Sequence, residues 1–224
     1  MTTSTTLTTA PVGPLLDRLF EDASARSPMN DPALIALAGG DHERLMRSKT
    51  DYLDFYGHLK DYPLAVSRET GVLLYMLARS AKARTIVEFG TSFGLSTLHL
   101  AAAVRDNGGG LVITSEFEPS KAERARRNLK DGGLIDLVEI REGDALQTLA
   151  VDLPEGIDLV LLDGAKALYG DILDRLESRL RPGALIVADN ADYCPEYLDR
   201  VRAPGGGYLS VPFAEDVELS MRLG

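Results

Sequence analysis

The chain has 224 residues, enough for one sizeable hydrophobic core. Its 45% apolar and 26% charged residues are ordinary usage for a soluble globular protein. A net charge of −10 and a pI near 4.8 argue against nucleic acid or an anionic membrane as the main partner. No apolar run approaches the ~20 residues of a bilayer span, and the Thr-rich start lacks the basic and apolar regions of a signal peptide. The single cysteine, Cys194, excludes an internal disulfide and a thiolate zinc cluster. A soluble, cytoplasmic protein is expected.

In chain order, Leu15, Leu16, Leu19 and Phe20 repeat at helical spacing. Asp31-Pro32 reads as an N-cap with proline at the first helical position. A third helical stretch spans roughly His42 to Leu59, with Tyr52, Phe55 and Tyr56 as an aromatic stripe suited to core or dimer packing. The segment 1–62 carries no strand signal and would form a tail with helices, acting as a lid or dimer interface beside a domain spanning 63–224. Ser67 is a plausible N-cap for the apolar helix holding Leu73, Leu74 and Leu77; the surrounding 63–71 stretch reads as a helix entry or as a loop over a cofactor.

From Thr85 strand and helix patterns alternate. Strand 85–89 leads to a helix near 96–105, with Ser96 or Thr97 placed to cap it. Strand 111–115 ends in Glu116, and Pro119 opens a charged helix closed by Gly132-Gly133. Strand 137–141 precedes Gly143-Asp144-Ala145 and a short helix. Strand 157–162 ends in Asp163, a helix over 168–180 is stopped by Pro182-Gly183, and strand 184–188 ends in Asp189-Asn190. Repeated βα units with short loops imply a parallel sheet covered by helices on both faces. Strands near 207–211 and 217–223 break the alternation and read as an antiparallel pair.

The stretch Glu88-Phe89-Gly90-Thr91-Ser92-Phe93-Gly94 is a strand, a glycine turn and a helix start. It lacks the second glycine of GxGxxG, since position 92 is serine. Acids recur at the carboxyl ends of the strands, where an open parallel sheet forms its ligand crevice. Glu116 could accept both hydroxyls of a ribose, or cap the helix at Pro119. Asp144 could contact an adenine edge, or cap the helix after it. Asp163, Asp189 and Asn190 supply hard oxygen ligands suited to Mg²⁺ or Ca²⁺, or are loop-capping residues. Lys166, beside such a cation, would be pushed toward its neutral form and could act as a general base; otherwise it is a solvated helix entry. None of His42, His58 and His99 is assigned to chemistry.

Together, the 88–96 turn, Thr114-Ser115-Glu116, Gly143-Asp144-Ala145, Asp163-Gly164-Ala165-Lys166 and Ala188-Asp189-Asn190 resemble the class I S-adenosylmethionine-dependent methyltransferases, specifically the cation-dependent, catechol-type O-methyltransferases of a bacterial branch. The resemblance runs from about Leu64 to the end of the chain. It implies a Rossmann-like α/β/α sandwich with a mostly parallel seven-stranded sheet whose last strand is antiparallel. It assigns Glu88, Gly90 and Ser96 to the methionine end of S-adenosylmethionine, with Val66 and Ser67 closing over it. Glu116 then binds the ribose, Asp144 and Ala145 frame the adenine, and Asp163 adjoins the cofactor. Asp163, Asp189 and Asn190 hold Mg²⁺ or another hard divalent cation, and Lys166 deprotonates a hydroxyl of a vicinal dihydroxy aromatic acceptor. A homodimer is expected. Ala165 stands where some members carry a large aromatic, and Glu215 and Asp216 are the candidates to meet a second acceptor hydroxyl. Two alternatives stay open: a metal-independent methyltransferase on another hydroxyl or amine, and a non-catalytic nucleotide-binding domain.

Overall fold

In the computed structural model, which describes residues 4–28, 31, 42–213 and 216–224, the apolar runs after Thr85 become the inner strands of one sheet. The strands are β1 (Thr85–Phe89), β2 (Leu111–Glu116), β3 (Val138–Glu142), β4 (Ile157–Leu162), β5 (Leu180–Asp189), β6 (Tyr208–Phe213) and β7 (Val217–Arg222). Their order is β3-β2-β1-β4-β5-β7-β6. β1 to β5 pair in parallel, and β7 runs antiparallel to both β5 and β6.

The helices among the described residues are α1 (Val12–Ala25), α2 (His42–Met46), α3 (Tyr52–His58), α4 (Arg68–Ser80), α5 (Leu95–Asp106), α6 (Pro119–Asp131), α7 (Ala145–Thr148), α8 (Tyr169–Leu176) and α9 (Pro195–Arg202). Side chains alternate across the strands, so two apolar layers form. Ile86, Val112, Leu159 and Val187 pack on one face with α1, α4 and α5. Val87, Ile113, Val160 and Ile186 pack on the other with α8 and α9. The repeat Val12, Leu15, Leu16, Leu19 buries α1 in the first of these layers, so that helix is part of the core of the sheet domain.

Three local expectations are corrected. The stretch 42–59 is two helices, α2 and α3, separated around Ser48–Asp51, where the Ser48 hydroxyl accepts the Asp51 N–H at 3.0 Å. Pro182-Gly183 does not stop a helix, because α8 ends at Leu176 and β5 already starts at Leu180. Ile157 pairs with Leu180 but Leu159 with Leu185, so β5 carries extra residues in a bulge. Gly183 there has φ +79°, and a proline in a bulge sacrifices no ladder hydrogen bond. Finally, α5 is entered through Gly94 in the left-handed region, and neither Ser96 nor Thr97 caps it. Pro32, in the expected Asp31-Pro32 helix start, lies outside the described residues.

The strand order reverses between β1 and β4, which opens a crevice at their carboxyl ends. Backbone closes tightly there: Asp163 donates its N–H to Phe89 O at 2.8 Å. Gly90 has φ +103°, and a Cβ on it would stand 2.6 Å from Asp163 O. Any side chain at position 90 would push β4 away from the turn. No helix of the described residues is long and apolar enough to cross a membrane.

Candidate active site

Beneath the glycine turn lies a buried acid. Glu88, the penultimate residue of β1, is 0% exposed and receives three hydroxyls. Ser96 Oγ donates to Oε1 at 2.6 Å, and Thr97 Oγ1 and Thr114 Oγ1 donate to Oε2 at 2.5 and 2.6 Å. Thr91 Oγ1 is 2.6 Å from Thr114 Oγ1. Burial pushes the Glu88 carboxyl up to about 7, against the pull of these donors. The hydroxyls expected to cap α5 therefore serve Glu88, tying the start of α5 to β1 and β2.

Above the turn is a cleft of about 600 Å³, counting space open to solvent. Gly90, Glu116, Asp144, Ala145 and Asp163 line it. Its other wall is Tyr52 and Tyr56 of α3, so the aromatic stripe faces the cleft instead of forming only core or dimer packing. Glu116 is 6% exposed; its Oε2 accepts the Ser92 N–H at 2.8 Å and its Oε1 the Glu118 N–H at 3.0 Å. Burial raises its pKa. The helix after it is capped by Glu118, whose carboxylate accepts from Ser120 N, so Glu116 is left for the cleft. Ser92 presents its N–H from a left-handed conformation, φ +47°, where a dinucleotide-type turn would use glycine. Asp144 meets both of its readings: Oδ1 caps α7 by accepting Leu146 N at 2.9 Å, and Oδ2 accepts the Tyr52 hydroxyl at 3.0 Å.

Behind Asp163, and not themselves lining the cleft, Lys166 and Asp189 close a buried group: Lys166 Nζ stands 2.7 Å from Asp163 Oδ1 and 3.6 Å from Asp189 Oδ2. Burial opposes the ammonium, yet the charge of Asp163, with Tyr169, Asp189 and Tyr56 around it, holds its pKa well above the usual value. The neutral lysine expected beside a cation is thus not the state seen here, where the ammonium itself bridges the carboxylates. Burial and then the adjacent Asp163 charge raise the Asp189 carboxyl. Tyr169 OH donates to Asp189 O at 2.6 Å and fixes the end of β5. Asn190 follows in the left-handed region, φ 49°, with Nδ2 donating to Asp216 Oδ2 at 2.9 Å. Glu215 lies outside the described residues.

Among the described residues no group of three or more His, Cys, Asp and Glu side chains is gathered as a metal site. The candidate set is two carboxylates meeting at one ammonium, with an amide next in sequence. These are oxygen donors grouped where positive charge is already held, which fits a hard divalent cation and not a soft one. The cleft likewise fits a nucleoside: a fixed carboxylate at Glu116, a helix N-terminus at Asp144 and close backbone at Gly90.

The remaining assigned residues lie elsewhere. Glu88 and Ser96 are bonded to each other under the turn and do not line the cleft. Ser67 caps α4 by accepting Thr70 N at 3.0 Å. Val66 is buried and faces a second depression shared with Phe20 and Pro28. Leu64, from the same loop, reaches the cleft, and its N–H is held by Ser92 Oγ at 3.2 Å. Sequence reasoning assigns no site role to Tyr52, Ser92, Thr97, Thr114 and Lys121: Tyr52 stands out for its aromatic spacing, Thr97 reads as a helix cap, and Ser92 and Thr114 are members of motifs.

A family model described as a methyltransferase domain matches residues 87–191. Over 139 residues the chain is 37% identical to a catechol O-methyltransferase of Niastella koreensis, covering 61% of this chain and 62% of that protein. Over 162 residues it is 36% identical to a catechol O-methyltransferase of Mycobacterium tuberculosis, covering 72% and 66%. The chain thus spans slightly less than two thirds of these relatives' lengths. Its fold is similar to the Streptomyces achromogenes O-methyltransferase TomG, involved in tomaymycin synthesis and solved in complex with S-adenosylmethionine, with TM-score 0.65, 27% identity and coverage of 82% and 94%. A Bacillus cereus O-methyltransferase solved with S-adenosylhomocysteine shares the fold, with TM-score 0.64, 24% identity and coverage of 79% and 92%. The chain is thus similar to S-adenosylmethionine-dependent O-methyltransferases, and among the curated relatives to catechol O-methyltransferases.

Proposed function

We propose that this protein transfers the methyl group of S-adenosylmethionine to one hydroxyl of a vicinal dihydroxy aromatic small molecule, assisted by Mg²⁺ or another hard divalent cation. The observation that carries this reading is the meeting of Lys166 and Asp189 at Asp163, which lines the same cleft as Glu116 and Asp144. Asp163, Asp189 and Asn190 would hold the cation, and Glu116, Asp144 and Gly90 the methyl donor. When bound, such a cation supplies Lewis acidity toward adjacent hydroxyls and competes with Lys166 for the two carboxylates.

The chain's own residues do the rest. Glu116, fixed by two backbone N–H groups, orients the ribose and with it the sulfonium methyl. Close backbone at Gly90 and Asp163 brings donor and acceptor ends of the cleft together. Lys166 Nζ, once it has given its ammonium proton to solvent, receives the hydroxyl proton; the oxygen forms a bond to the methyl carbon as the carbon–sulfur bond breaks, leaving S-adenosylhomocysteine. Tyr52 and Tyr56 of α3 cover the cleft and exclude water. Holding two reactants in line is the main catalytic device in such a scheme.

The test is methyl transfer to a catechol with and without EDTA, in the wild type and in Asp163→Ala. Loss in both treatments is expected; turnover that survives complete metal removal and the substitution sinks the cation-assisted reading.

A further inference from the structure

Lys121, in the first turn of α6, is 3% exposed and helps form the cleft wall beside Glu116 and Phe117. Its neighbours on α6 pair outward: Arg124 with Asp22, Arg126 with Glu142 and Arg127 with Glu123. Lys121 does not. Among the described residues no carboxylate lies within 4.0 Å of its Nζ and no hydrogen bond reaches it; Nζ stands 5.8 Å from the centre of the Phe93 ring. Burial pulls its pKa down to about 8, while Glu116 and Glu118 pull the other way. A buried ammonium without an acceptor is costly, so a cleft that keeps one is shaped for an acceptor arriving with its ligand.

Glu116 shows which acceptor. Each of its oxygens already takes one backbone N–H, which fixes the carboxylate and leaves lone pairs directed elsewhere. A vicinal diol brings two O–H donors and two oxygens with lone pairs of their own. A carboxylate can serve the donors but not the lone pairs; an ammonium can serve the lone pairs but not the donors. We propose that Glu116 and Lys121 form a complementary clamp on the ribose diol of the methyl donor, Glu116 accepting from the hydroxyls and Lys121 donating to one of their oxygens. The pair selects ribose over deoxyribose. This rests on the donor-site reading above and adds Lys121 to it.

Calorimetric titration of S-adenosylhomocysteine and its 2′-deoxy and 3′-deoxy counterparts tests the clamp. Wild type, Lys121→Met, Lys121→Gln and Lys121→Arg are compared. A hydrogen bond to a charged group is worth roughly ten- to a hundred-fold in binding. Lys121→Met should bind the full ligand about ten-fold or more weakly, and its preference for the diol over one deoxy ligand should fall by about as much. Lys121→Arg should retain most of that preference. Lys121→Gln, one atom shorter and without the charge, withdraws the ammonium from the diol while keeping a polar side chain, and secures the measurement should Lys121→Met fold poorly. The same diol-to-deoxy ratio in wild type, Lys121→Met and Lys121→Gln overturns the role of Lys121 alone. Failure of the wild type to bind S-adenosylhomocysteine overturns the donor-site reading, and the clamp with it.

Discussion

The hydroxyl of Tyr52 donates to Asp144 Oδ2 at 3.0 Å, joining α3 to the far wall of the cleft across 92 residues of sequence. Burial, and then this bond, raise the tyrosine pKa to about 12, so the hydroxyl remains a donor throughout the neutral range. No residue of α3 is fully buried, and Tyr52 and Tyr56 reach the core only as partly buried side chains. Tyr52→Phe should therefore loosen α3 locally. A neutral hydrogen bond is worth about 1 kcal/mol, or roughly a five-fold faster opening. Hydrogen exchange should accelerate over 52–58 and stay unchanged in β1 and β4. Unchanged exchange in α3 would show that the bond does not hold the helix in place.

A second prediction concerns Glu88 and pH. Its folded pKa, about 7, lies above the ordinary carboxylate value because of burial. The native state then binds a proton that the unfolded chain has already released, so stability is greatest below the unfolded pKa and declines as pH rises toward 7. The stake is about 3 kcal/mol at most. Glu88→Gln should remove this part of the slope: the gap between wild type and variant in urea unfolding should shift in the variant's favour from pH 5 to pH 8. A gap that stays constant over that range would show that the three hydroxyls keep the carboxylate fully ionised.

These two residues also show what the sequence could and could not convey. Acids at strand ends are legible because the carboxyl edge of a parallel sheet is a fixed place in the fold, and Glu116, Asp144 and Asp163 do line the cleft. Glu88 sits one residue before the end of β1, and its side chain points under the turn, where its partners come from α5 and β2. A hydroxyl near a helix start reads as a cap, and nothing local distinguishes capping from reaching back to a carboxylate. Pro182-Gly183 reads as a helix stop for a similar reason, since a bulge depends on the neighbouring strand. Lys121 has an ordinary place in a charged helix; only the packing of Phe93 and the cleft turns it inward.

On β7, one strand in from the sheet's edge, Glu218 is 1% exposed and bound by Arg202 through two bonds of 2.8 and 2.6 Å, with Ser210 Oγ donating at 2.5 Å. Burial opposes the charge, but Arg202 and Ser210 hold its pKa below the ordinary value. This contribution is present above the unfolded carboxylate pKa and is lost as pH falls through the folded one. Arg202→Ala leaves the carboxylate without its counter-ion. Because Arg202 is itself partly exposed, water can substitute in part, and a loss of about 2 kcal/mol is expected. Urea unfolding at pH 7 measures it, and the deficit should shrink toward pH 4. A deficit equally large at both pH values would locate the effect in packing.

The last prediction separates the two jobs of Lys166. Its ammonium lies between Asp163 and Asp189, at 2.7 and 3.6 Å. Lys166→Met removes that charge while keeping a long apolar side chain in a buried position. Two neighbouring carboxylates without a cation repel, so the metal-free variant should lose roughly 2–4 kcal/mol of stability. A divalent cation held by the same carboxylates would offset more in the variant than in the wild type, where the lysine already serves them. Added Mg²⁺ should thus raise the Tm of Lys166→Met by several degrees more than that of the wild type. Methyl transfer should be lost in the variant while S-adenosylhomocysteine still binds, because the proton acceptor is gone and Glu116 and Asp144 are untouched. Equal Mg²⁺ shifts in the two proteins would count against Asp163 and Asp189 as the cation's ligands. Turnover retained in the variant would assign the proton to another group.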